Sequence, residues 1–436
     1  MYRTLLIAIV SGFALESALF AATIRVPADH ATIQEAINAS STGDEIVVSP
    51  GEYGIDAPIT FGGRGITLRS EQGAAVTTLR GTDHENSGSI FSLDDAEPPE
   101  AIIDGFTISD TEGTIRTISV FGGPPFMLSL GAGIYIGTNS EPLIRNCVFR
   151  NLTADNGAAA FCDLDSQPRF ENCEFRNNIL PYKPELFSVQ FGGCISAAFD
   201  SLITVSGSRF ENNVGLEGAG IGARAGSTVH VTDCEFVGNR SIRGGAIGSR
   251  SAILTIENSK FTRNGVMSGV ETQIRSYQGG ALYFWASGNN NDPVKITNCE
   301  FDSNFANNEG GAIYTDTTGV PFENLALIDG CRFADNLSND GGGVFVEYGA
   351  SAVKFQNSTF ENNRALRNGG AVNVLYDTET LYENCAFQGN TASEGGAVRV
   401  QQGDAEFSRV TMAANAAGAG GGILNVRGQI SIDRSV

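Results

Sequence analysis

A short glycine-rich element recurs along most of the chain and constrains the fold more than any other feature. Its regular form is Gly-Gly-Ala followed by Ile, Leu or Val, and successive copies lie mostly 25 to 28 residues apart. Regular copies begin at Gly244, Gly279, Gly310, Gly369 and Gly395, and variants begin at Gly131, Gly157, Gly192, Gly218, Gly341 and Gly420. Self-similarity at this period indicates a stack of repeats, none of which buries its apolar face alone.

A second element, Phe-x-x-Asn, follows the same period. A Cys or Ser lies two positions before each Phe, and an Asn, Asp or Gly precedes that small residue, as in Asn298-Cys299 before Phe301. Asn, Asp and Gly adopt the left-handed backbone conformation most readily, so we expect a bend there. The pairs are Phe175/Asn178, Phe210/Asn213, Phe236/Asn239, Phe261/Asn264, Phe301/Asn304, Phe333/Asn336, Phe360/Asn363 and Phe387/Asn390.

Each repeat contains three short runs in which apolar and polar residues alternate, separated by turn formers. One repeat shows them at Ile134 to Ile136, Leu143 to Arg145 and Cys147 to Phe149. Period-two alternation predicts strands, and three strands in one repeat make one coil. Coils would stack about 4.8 Å apart, with like residues above like. The sequence thus predicts an all-β fold, a right-handed parallel β-helix solenoid of roughly 12–14 coils.

The first residues have the order of a signal peptide. Arg3 precedes an apolar run from Thr4 to Leu15, and small residues follow up to Ala22. Such an order directs export. We therefore predict a signal peptide at 1–22 and a single β-helix domain at 23–436. No later apolar run is long enough to span a membrane.

The two ends of the domain differ from its middle. Thr32 and Glu35 form a capping box, so we expect a short N-terminal capping helix over residues 32–40 that covers the open end of the solenoid. Irregular coils would occupy 23–130 and regular coils 131–436. At the other end, Ser435 takes the Cys/Ser position of a repeat whose Phe would come next. We expect the sequence to be truncated within a coil and the full protein to continue.

Charge and cysteine usage narrow the partners and the chemistry. The formal net charge is −21 and there is no Lys/Arg cluster, which argues against nucleic acid as a partner. Eight cysteines in an exported chain would suit disulfides. Six of them, however, share the Cys/Ser position, where parallel neighbours have poor disulfide geometry. We therefore interpret these six cysteines as small buried residues that fill the core. Cys162 and Cys194 do not lie at the Cys/Ser position.

The Gly-Gly-Ala-Ile and Phe-x-x-Asn repeats resemble those of the chlamydial polymorphic outer-membrane proteins. The segment from Ile24 to Tyr53 is similar to the N-terminal cap of the pectin-lyase-like superfamily of right-handed β-helices. The first resemblance implies exposure on the cell surface, associated with the outer membrane or released, and adhesion. The second implies the fold but no single activity, because the superfamily holds both enzymes and adhesins.

In the strand that follows each glycine pair, alternate side chains point outward, away from the core. The repeat register predicts which residues these are. In the middle coils these positions form two adjacent rows. One row contains Arg224, Arg250, Trp285, Asp316 and Glu347, and the other contains Tyr283, Tyr314 and Phe345. Aromatic faces stack on sugar rings and Arg binds carboxylates. We expect Arg224, Arg250, Tyr283, Trp285, Tyr314 and Phe345 to bind polysaccharide or a cell-surface glycan or protein.

Two other interpretations of these rows remain open. Asp316 and Glu347 fall on adjacent coils, roughly 5 Å apart, which suits a retaining glycosidase, and with Arg250 they are the catalytic candidates for a polysaccharide lyase or glycoside hydrolase acting on an acidic glycan. No motif of the family's enzymes is present, so catalysis is the second choice. The third is a structural spacer, in which the aromatic row only stabilises the sheet.

The sequence predicts no cofactor and no metal site from Cys/His spacing. The one candidate for a metal is the insertion at 288–292, Gly-Asn-Asn-Asn-Asp, whose oxygens would suit Ca²⁺. A plain loop is the alternative.

Overall fold

The computed structural model describes residues 21–82, 88–118, 125–186, 189–198, 200–224, 226–266, 277–285, 294–316, 326–347 and 352–436. The signal peptide expected at 1–22 therefore lies almost wholly outside the described residues, as does the insertion at 288–292. Over the part of the chain that is described, no helix has the length and apolar character needed to cross a membrane.

Three long parallel sheets form the walls of a solenoid, as the repeats predict. Over the described residues they hold 15, 13 and 12 strands, and are called sheets 1, 2 and 3. Sheet 1 consists of Thr23–Val26, Glu45–Val48, Thr67–Ser70, Ile102–Asp104, Leu143–Arg145, Arg169–Glu171, Leu202–Ser206, Thr228–Thr232, Ile253–Glu257, Val294–Thr297, Ala326–Asp329, Ala352–Gln356, Glu379–Glu383, Asp404–Ser408 and Gln429–Asp433.

Sheets 2 and 3 complete each coil. Sheet 2 consists of Gly51–Ile55, Thr77–Gly81, Thr107–Ser109, Val148–Arg150, Glu174–Arg176, Arg209–Glu211, Glu235–Val237, Lys260–Thr262, Glu300–Asp302, Arg332–Ala334, Thr359–Glu361, Ala386–Gln388 and Thr411–Ala413. Sheet 3, which follows the glycine pairs, consists of Phe91–Leu93, Ile134–Ile136, Ala160–Cys162, Ile195–Ala197, Ile221–Arg224, Ile247–Arg250, Leu282–Trp285, Ile313–Asp316, Val344–Glu347, Val372–Leu375, Val398–Gln401 and Ile423–Val426.

Smaller elements connect or flank these sheets. A four-stranded sheet of Leu337–Asp340, Arg364–Asn368, Thr391–Glu394 and Ala416–Ala419 lies between sheets 2 and 3 in chain order. The strands Arg240–Ser241 and Gly265–Val266 pair at the corresponding place in earlier coils. Thr114–Ile118 and Phe126–Leu130 form an antiparallel pair, and Pro184–Leu186 form a 3₁₀ turn.

One helix, Ile33–Ala39, is present among the described residues at the predicted place. The Thr32 hydroxyl accepts from the Glu35 amide, and the Glu35 carboxylate accepts from the Thr32 amide, so the capping box is formed. Ile33, Ala36 and Ile37 are buried in the same core as the first strands of sheet 1. The helix therefore packs at the N-terminal end of the solenoid, beside the edge strand Thr23–Val26.

The inside of the solenoid is built from columns of identical residues. Phe rings from successive coils stack nearly parallel, for example Phe301 on Phe333 with ring centroids 4.9 Å apart. The Asn that follows each Phe is fully buried, as Asn304 and Asn336 illustrate. Both columns follow the register that the Phe-x-x-Asn spacing predicts.

The turns are also those that the sequence indicates. Asn298 and Gly330, which precede the Cys position, have φ of 53° and 64°, in the left-handed region. The first glycine of each pair is left-handed too, as at Gly310 with φ of 66°. At Gly311 a Cβ would lie 2.1 Å from the carbonyl oxygen of Gly342. The second glycine is therefore required by the close approach of neighbouring coils.

All eight cysteines are buried and free, which agrees with the packing interpretation. Burial raises the pKa of the Cys234 and Cys385 thiols to about 11. Cys162 and Cys194 lie on sheet 3 and next to it, in successive coils, away from the other six.

Candidate functional site

The strands of sheet 3 place the predicted row in register. Arg224 pairs with Arg250, Arg250 with Trp285, Trp285 with Asp316, and Asp316 with Glu347. All five side chains are partly exposed. These residues are called the Trp285 row, and at about 4.8 Å per strand they extend over roughly 20 Å.

The neighbouring aromatic row is buried. Tyr283, Tyr314 and Phe345 are 6%, 3% and 2% exposed, and form a cluster separate from the solenoid core. Their rings stack on one another with centroids 5.3 and 5.7 Å apart. Trp285 and Leu375 pack against the same cluster.

The ligand-binding role of Tyr283, Tyr314 and Phe345 stays a prediction, but their burial leaves little open ring surface. The side chains do leave the sheet on the side away from the solenoid core, but each ring is covered by its neighbours in the stack. Trp285, at the adjacent position, remains half-buried and is the aromatic side chain of the two rows that keeps an open surface. Trp285 packs against the buried stack.

A third row, which the sequence analysis did not identify, borders the same face. It consists of the residue immediately before each glycine pair, and the first five members are linked by parallel bridges. This pre-glycine row contains Glu217, Arg243, Gln278, Glu309, Asp340, Asn368 and Glu394. The signal was available, because a polar residue occupies this position in seven successive repeats.

Glu217 of the pre-glycine row binds three arginines. Its Oε2 accepts from Arg224 at 2.7 Å, and its Oε1 accepts from Arg243 at 3.0 Å and from Arg250. The Glu217 side chain is only 5% exposed. Burial alone would raise the pKa of Glu217, but the charges of Arg224, Arg250 and Arg243 together hold the pKa below its ordinary value. Arg224, Arg243 and Arg250 are called the arginine cluster.

Two glycines lie where neighbouring backbone approaches closely beside this cluster. Gly222 and Gly248 occupy the aromatic-row position in the two coils before Tyr283. A Cβ would lie 2.2 Å from the Gly192 Cα atom at Gly222, and 2.6 Å from the Glu217 carbonyl carbon at Gly248. The aromatic row is thus interrupted where Glu217 and its arginines lie.

The opposite end of the face is acidic. The Tyr314 hydroxyl donates to the Glu347 carboxylate, and the Gln278 amide donates to Glu309 at 2.7 Å. Burial, opposed by the Tyr314 hydrogen bond and assisted by the charge of Asp316, raises the pKa of Glu347. Burial also raises the pKa of Glu309, and Glu347 contributes to it. The face is therefore basic at Arg224 and acidic at Glu347, with Trp285 between them.

The structure brings together only two of the three catalytic candidates. Asp316 and Glu347 are register partners on adjacent strands, whereas Arg250 lies two strands from Asp316 and binds Glu217. Among the described residues, no group of three or more His, Cys, Asp or Glu side chains is arranged to hold a metal ion. The Ca²⁺ candidate at 288–292 lies outside the described residues.

The chain belongs to the right-handed β-helix family. Residues 100–292 and 280–432 match the family model described as the right handed beta helix region, which together is more than half of the chain. The parallel solenoid is accordingly right-handed. No curated protein sequence matches the chain significantly.

Several solved structures are similar in fold. They include the receptor-binding tailspike protein of bacteriophage Det7 (10% identity, 95% of this chain, 76% of that chain, TM-score 0.43). A second is the catalytic domain of a GH87 alpha-1,3-glucanase in complex with tetrasaccharides (13% identity, 94% of this chain, 68% of that chain, TM-score 0.41). A third is the Streptococcus pneumoniae surface protein and adhesin PfbA (14% identity, 92% of this chain, 95% of that chain, TM-score 0.40). Likeness at this level says nothing about function.

Proposed function

We propose that this protein is an adhesin-like β-helix, secreted or exposed on the cell surface, that binds polysaccharide or cell-surface partners through the Trp285 row. The observation that carries the proposal is the alignment of Arg224, Arg250, Trp285, Asp316 and Glu347 on five consecutive strands, all partly exposed. A row of this kind offers an aromatic face for a sugar ring, with cationic and anionic hydrogen-bonding groups on either side.

The shape of the face supports an extended ligand. Like positions repeat at about 4.8 Å along the solenoid, so a linear polymer lying along sheet 3 would meet one member of the row in each coil. The export implied by residues 1–22, and the resemblance of the repeats to polymorphic outer-membrane proteins, are the basis for the surface location. The helix Ile33–Ala39, buried against the first strands, would protect the N-terminal edge of such an exposed protein.

A glycan array probed with residues 23–436 tests the proposal, followed by titration of the best ligand. Trp285→Ala removes the ring, and we expect at least tenfold weaker binding with an unchanged circular dichroism spectrum. Phe305→Ala is the matched control, because Phe305 is another partly exposed aromatic residue, outside sheet 3. Equal binding by wild type and Trp285→Ala would contradict the proposal.

A second candidate function is glycan cleavage, by hydrolysis or by elimination. It is favoured by one observation, the raised pKa of Glu347 beside Asp316 and Tyr314. A raised pKa favours the protonated form that a general acid needs, and a neighbouring carboxylate is suited to act as nucleophile or base. In this alternative Arg250 would orient an acidic substrate.

Reducing-end and unsaturated-product assays separate the two functions. Turnover that is lost in both Asp316→Asn and Glu347→Gln would establish the enzyme, while binding without turnover supports the adhesin. If the protein neither binds nor cleaves, the remaining interpretation is a structural spacer.

A further inference from the structure

We infer that the arginine cluster is an anion subsite that holds the carboxylate or sulfate group of an acidic sugar while Trp285 stacks on a sugar ring of the same ligand. This inference rests on the proposed function and specifies its ligand. The hydrogen bonding and the position of Arg243 and Arg250 favour an anionic ligand, and a neutral glycan would require neither of them.

Two guanidinium groups of the cluster share a single carboxylate oxygen. Arg243 and Arg250 both donate to the Glu217 Oε1 atom, while the Oε2 atom accepts from Arg224. Partly buried guanidinium groups that share one oxygen are stabilised when a further anion binds beside them.

The hydrogen bonding of the cluster is incomplete as well. Glu217 uses both oxygens, with Oε1 shared by Arg243 and Arg250. The Nε atoms of Arg243 and Arg250 are buried and have no hydrogen-bond partner among the described residues. A guanidinium has five N–H donors, so one carboxylate does not saturate these two side chains. The Arg250 side chain as a whole is 31% exposed, so part of it is accessible to a ligand.

The position of the cluster selects a saccharide rather than a small free anion. Arg250 is the register partner of Trp285, so the two side chains leave neighbouring strands that lie about 4.8 Å apart. That spacing suits a saccharide with one sugar ring stacked on Trp285. A charged group on that ring, or on the next ring of the saccharide, would then reach Arg250.

Three hexasaccharides test the inference by isothermal titration calorimetry: an oligogalacturonate with carboxylates, a heparin fragment with sulfates, and neutral maltohexaose. We expect an acidic ligand to bind at least tenfold more tightly than maltohexaose, with affinity falling as salt is raised. The preferred acidic ligand distinguishes carboxylate from sulfate. Inorganic sulfate alone should compete only at much higher concentration.

Arg243→Gln removes a guanidinium that lies outside the Trp285 row and should weaken acidic-ligand binding at least tenfold, without changing the affinity for maltohexaose. Arg250→Gln should also weaken acidic-ligand binding at least tenfold. Arg332→Gln is the matched control, because Arg332 pairs with Glu361 on sheet 2. Arg250→Lys keeps the charge but not the planar fork, and we expect an intermediate loss. Thermal denaturation of every variant separates loss of the subsite from loss of the fold.

Failure of this inference differs from failure of the proposed function. If maltohexaose and the acidic ligands bind equally and only Trp285→Ala weakens them, the face binds glycans and the anion subsite is wrong. If no saccharide binds, or Trp285→Ala binds as wild type does, the proposed function itself fails.

Discussion

At the scale of single residues, the buried asparagines join neighbouring coils through their side chains and form what is here called the asparagine ladder. The Nδ2 atom of Asn336 donates to the Phe301 carbonyl at 3.0 Å and to the Oδ1 atom of Asn363 at 2.9 Å. Its Oδ1 atom accepts from the amide of Asn304 at 2.9 Å. Each asparagine therefore satisfies backbone groups at a turn where the strand ladder is interrupted.

Asn336→Ala should destabilise the protein by about 3 kcal/mol, because each buried group left unpaired costs about 1–3 kcal/mol. The Phe301 carbonyl and the Asn304 amide would both lose a partner. Urea denaturation followed by circular dichroism measures the change. Gln388→Ala, an exposed position on sheet 2, is the control and should change stability by less than about 0.5 kcal/mol. A similar loss of unfolding free energy in both variants would show that the asparagine ladder is not a source of stability.

Glu217 is predicted to make stability depend on acid pH. Because its folded-state pKa is lowered, the ionised carboxylate stabilises the fold above the unfolded pKa of about 4.3. This contribution is lost as the pH falls through the folded pKa. Glu217→Gln should cost on the order of 3 kcal/mol at pH 7, since it leaves buried guanidinium groups unpaired.

Denaturation midpoints of wild type and Glu217→Gln, measured from pH 3 to pH 7, test this. The difference between the two proteins should be largest near pH 7 and should shrink toward pH 3. A difference that does not change with pH would show that the carboxylate charge is not the source.

The same residues show what sequence can and cannot predict. Phe, Asn and Cys/Ser recur at fixed spacing, so the columns that contain Phe301 and Asn336 follow from the repeat alone. The partial exposure of Trp285 and the burial of Tyr283 depend instead on how deep each position lies beside the pre-glycine row. Glu217 has no identical residue one repeat away, so a search for recurring letters missed it. What recurs at this position, before the seven successive glycine pairs, is only that the residue is polar.

At the scale of the element, the N-terminal helix has seven residues and depends on its cap. A helix this short is not stable by propensity alone, so the capping box of Thr32 and Glu35 and the burial of Ile33 and Ile37 must hold it. The sequence predicted this element well, because the Thr-x-x-Glu spacing and the apolar face lie within a few residues of each other.

Thr32→Ala should weaken the helix by about 1 kcal/mol, through loss of the hydrogen bond from the Glu35 amide. Amides of Ile33–Ala39 should then exchange with deuterium roughly fivefold faster, while those of sheet 2 are unchanged. Ser41→Ala is the control, because Ser41 lies outside the helix and its backbone amide, which donates to Asp44, is retained. Uniform acceleration over the whole chain would contradict a local role for the cap.

At the scale of the whole molecule, contacts run almost entirely between one coil and the next. Apart from the end strands, each strand of the three sheets pairs with the strand one repeat earlier and the strand one repeat later. Stability in such a solenoid is approximately the sum of coil terms and nearest-neighbour terms. Energetic coupling should therefore be strong between adjacent coils and weak between distant ones.

Two double-mutant cycles in the asparagine ladder test this architecture. Asn304 and Asn336 share hydrogen bonds, with the Asn304 Nδ2 atom 3.1 Å from the Asn336 Oδ1 atom. Removing both loses that interaction once, so Asn304→Ala and Asn336→Ala should be non-additive by about 1 kcal/mol. Asn213 and Asn363 lie five ladder steps apart, roughly 24 Å at 4.8 Å per coil. Asn213→Ala and Asn363→Ala should add within about 0.5 kcal/mol.

Trp285 is the single tryptophan of the chain and gives a probe near the middle of the solenoid, so its fluorescence and circular dichroism together follow unfolding in urea. Coincident transitions would justify the free-energy differences that the cycles need. Equal coupling in the near and the distant pair would contradict stability as a sum of nearest-neighbour terms. Coupling confined to the near pair would support that sum, and we then expect ligand binding to protect most strongly the coils around sheet 3 strands Ile221–Arg224 to Val344–Glu347. Hydrogen exchange with and without glycan would then show that protection directly.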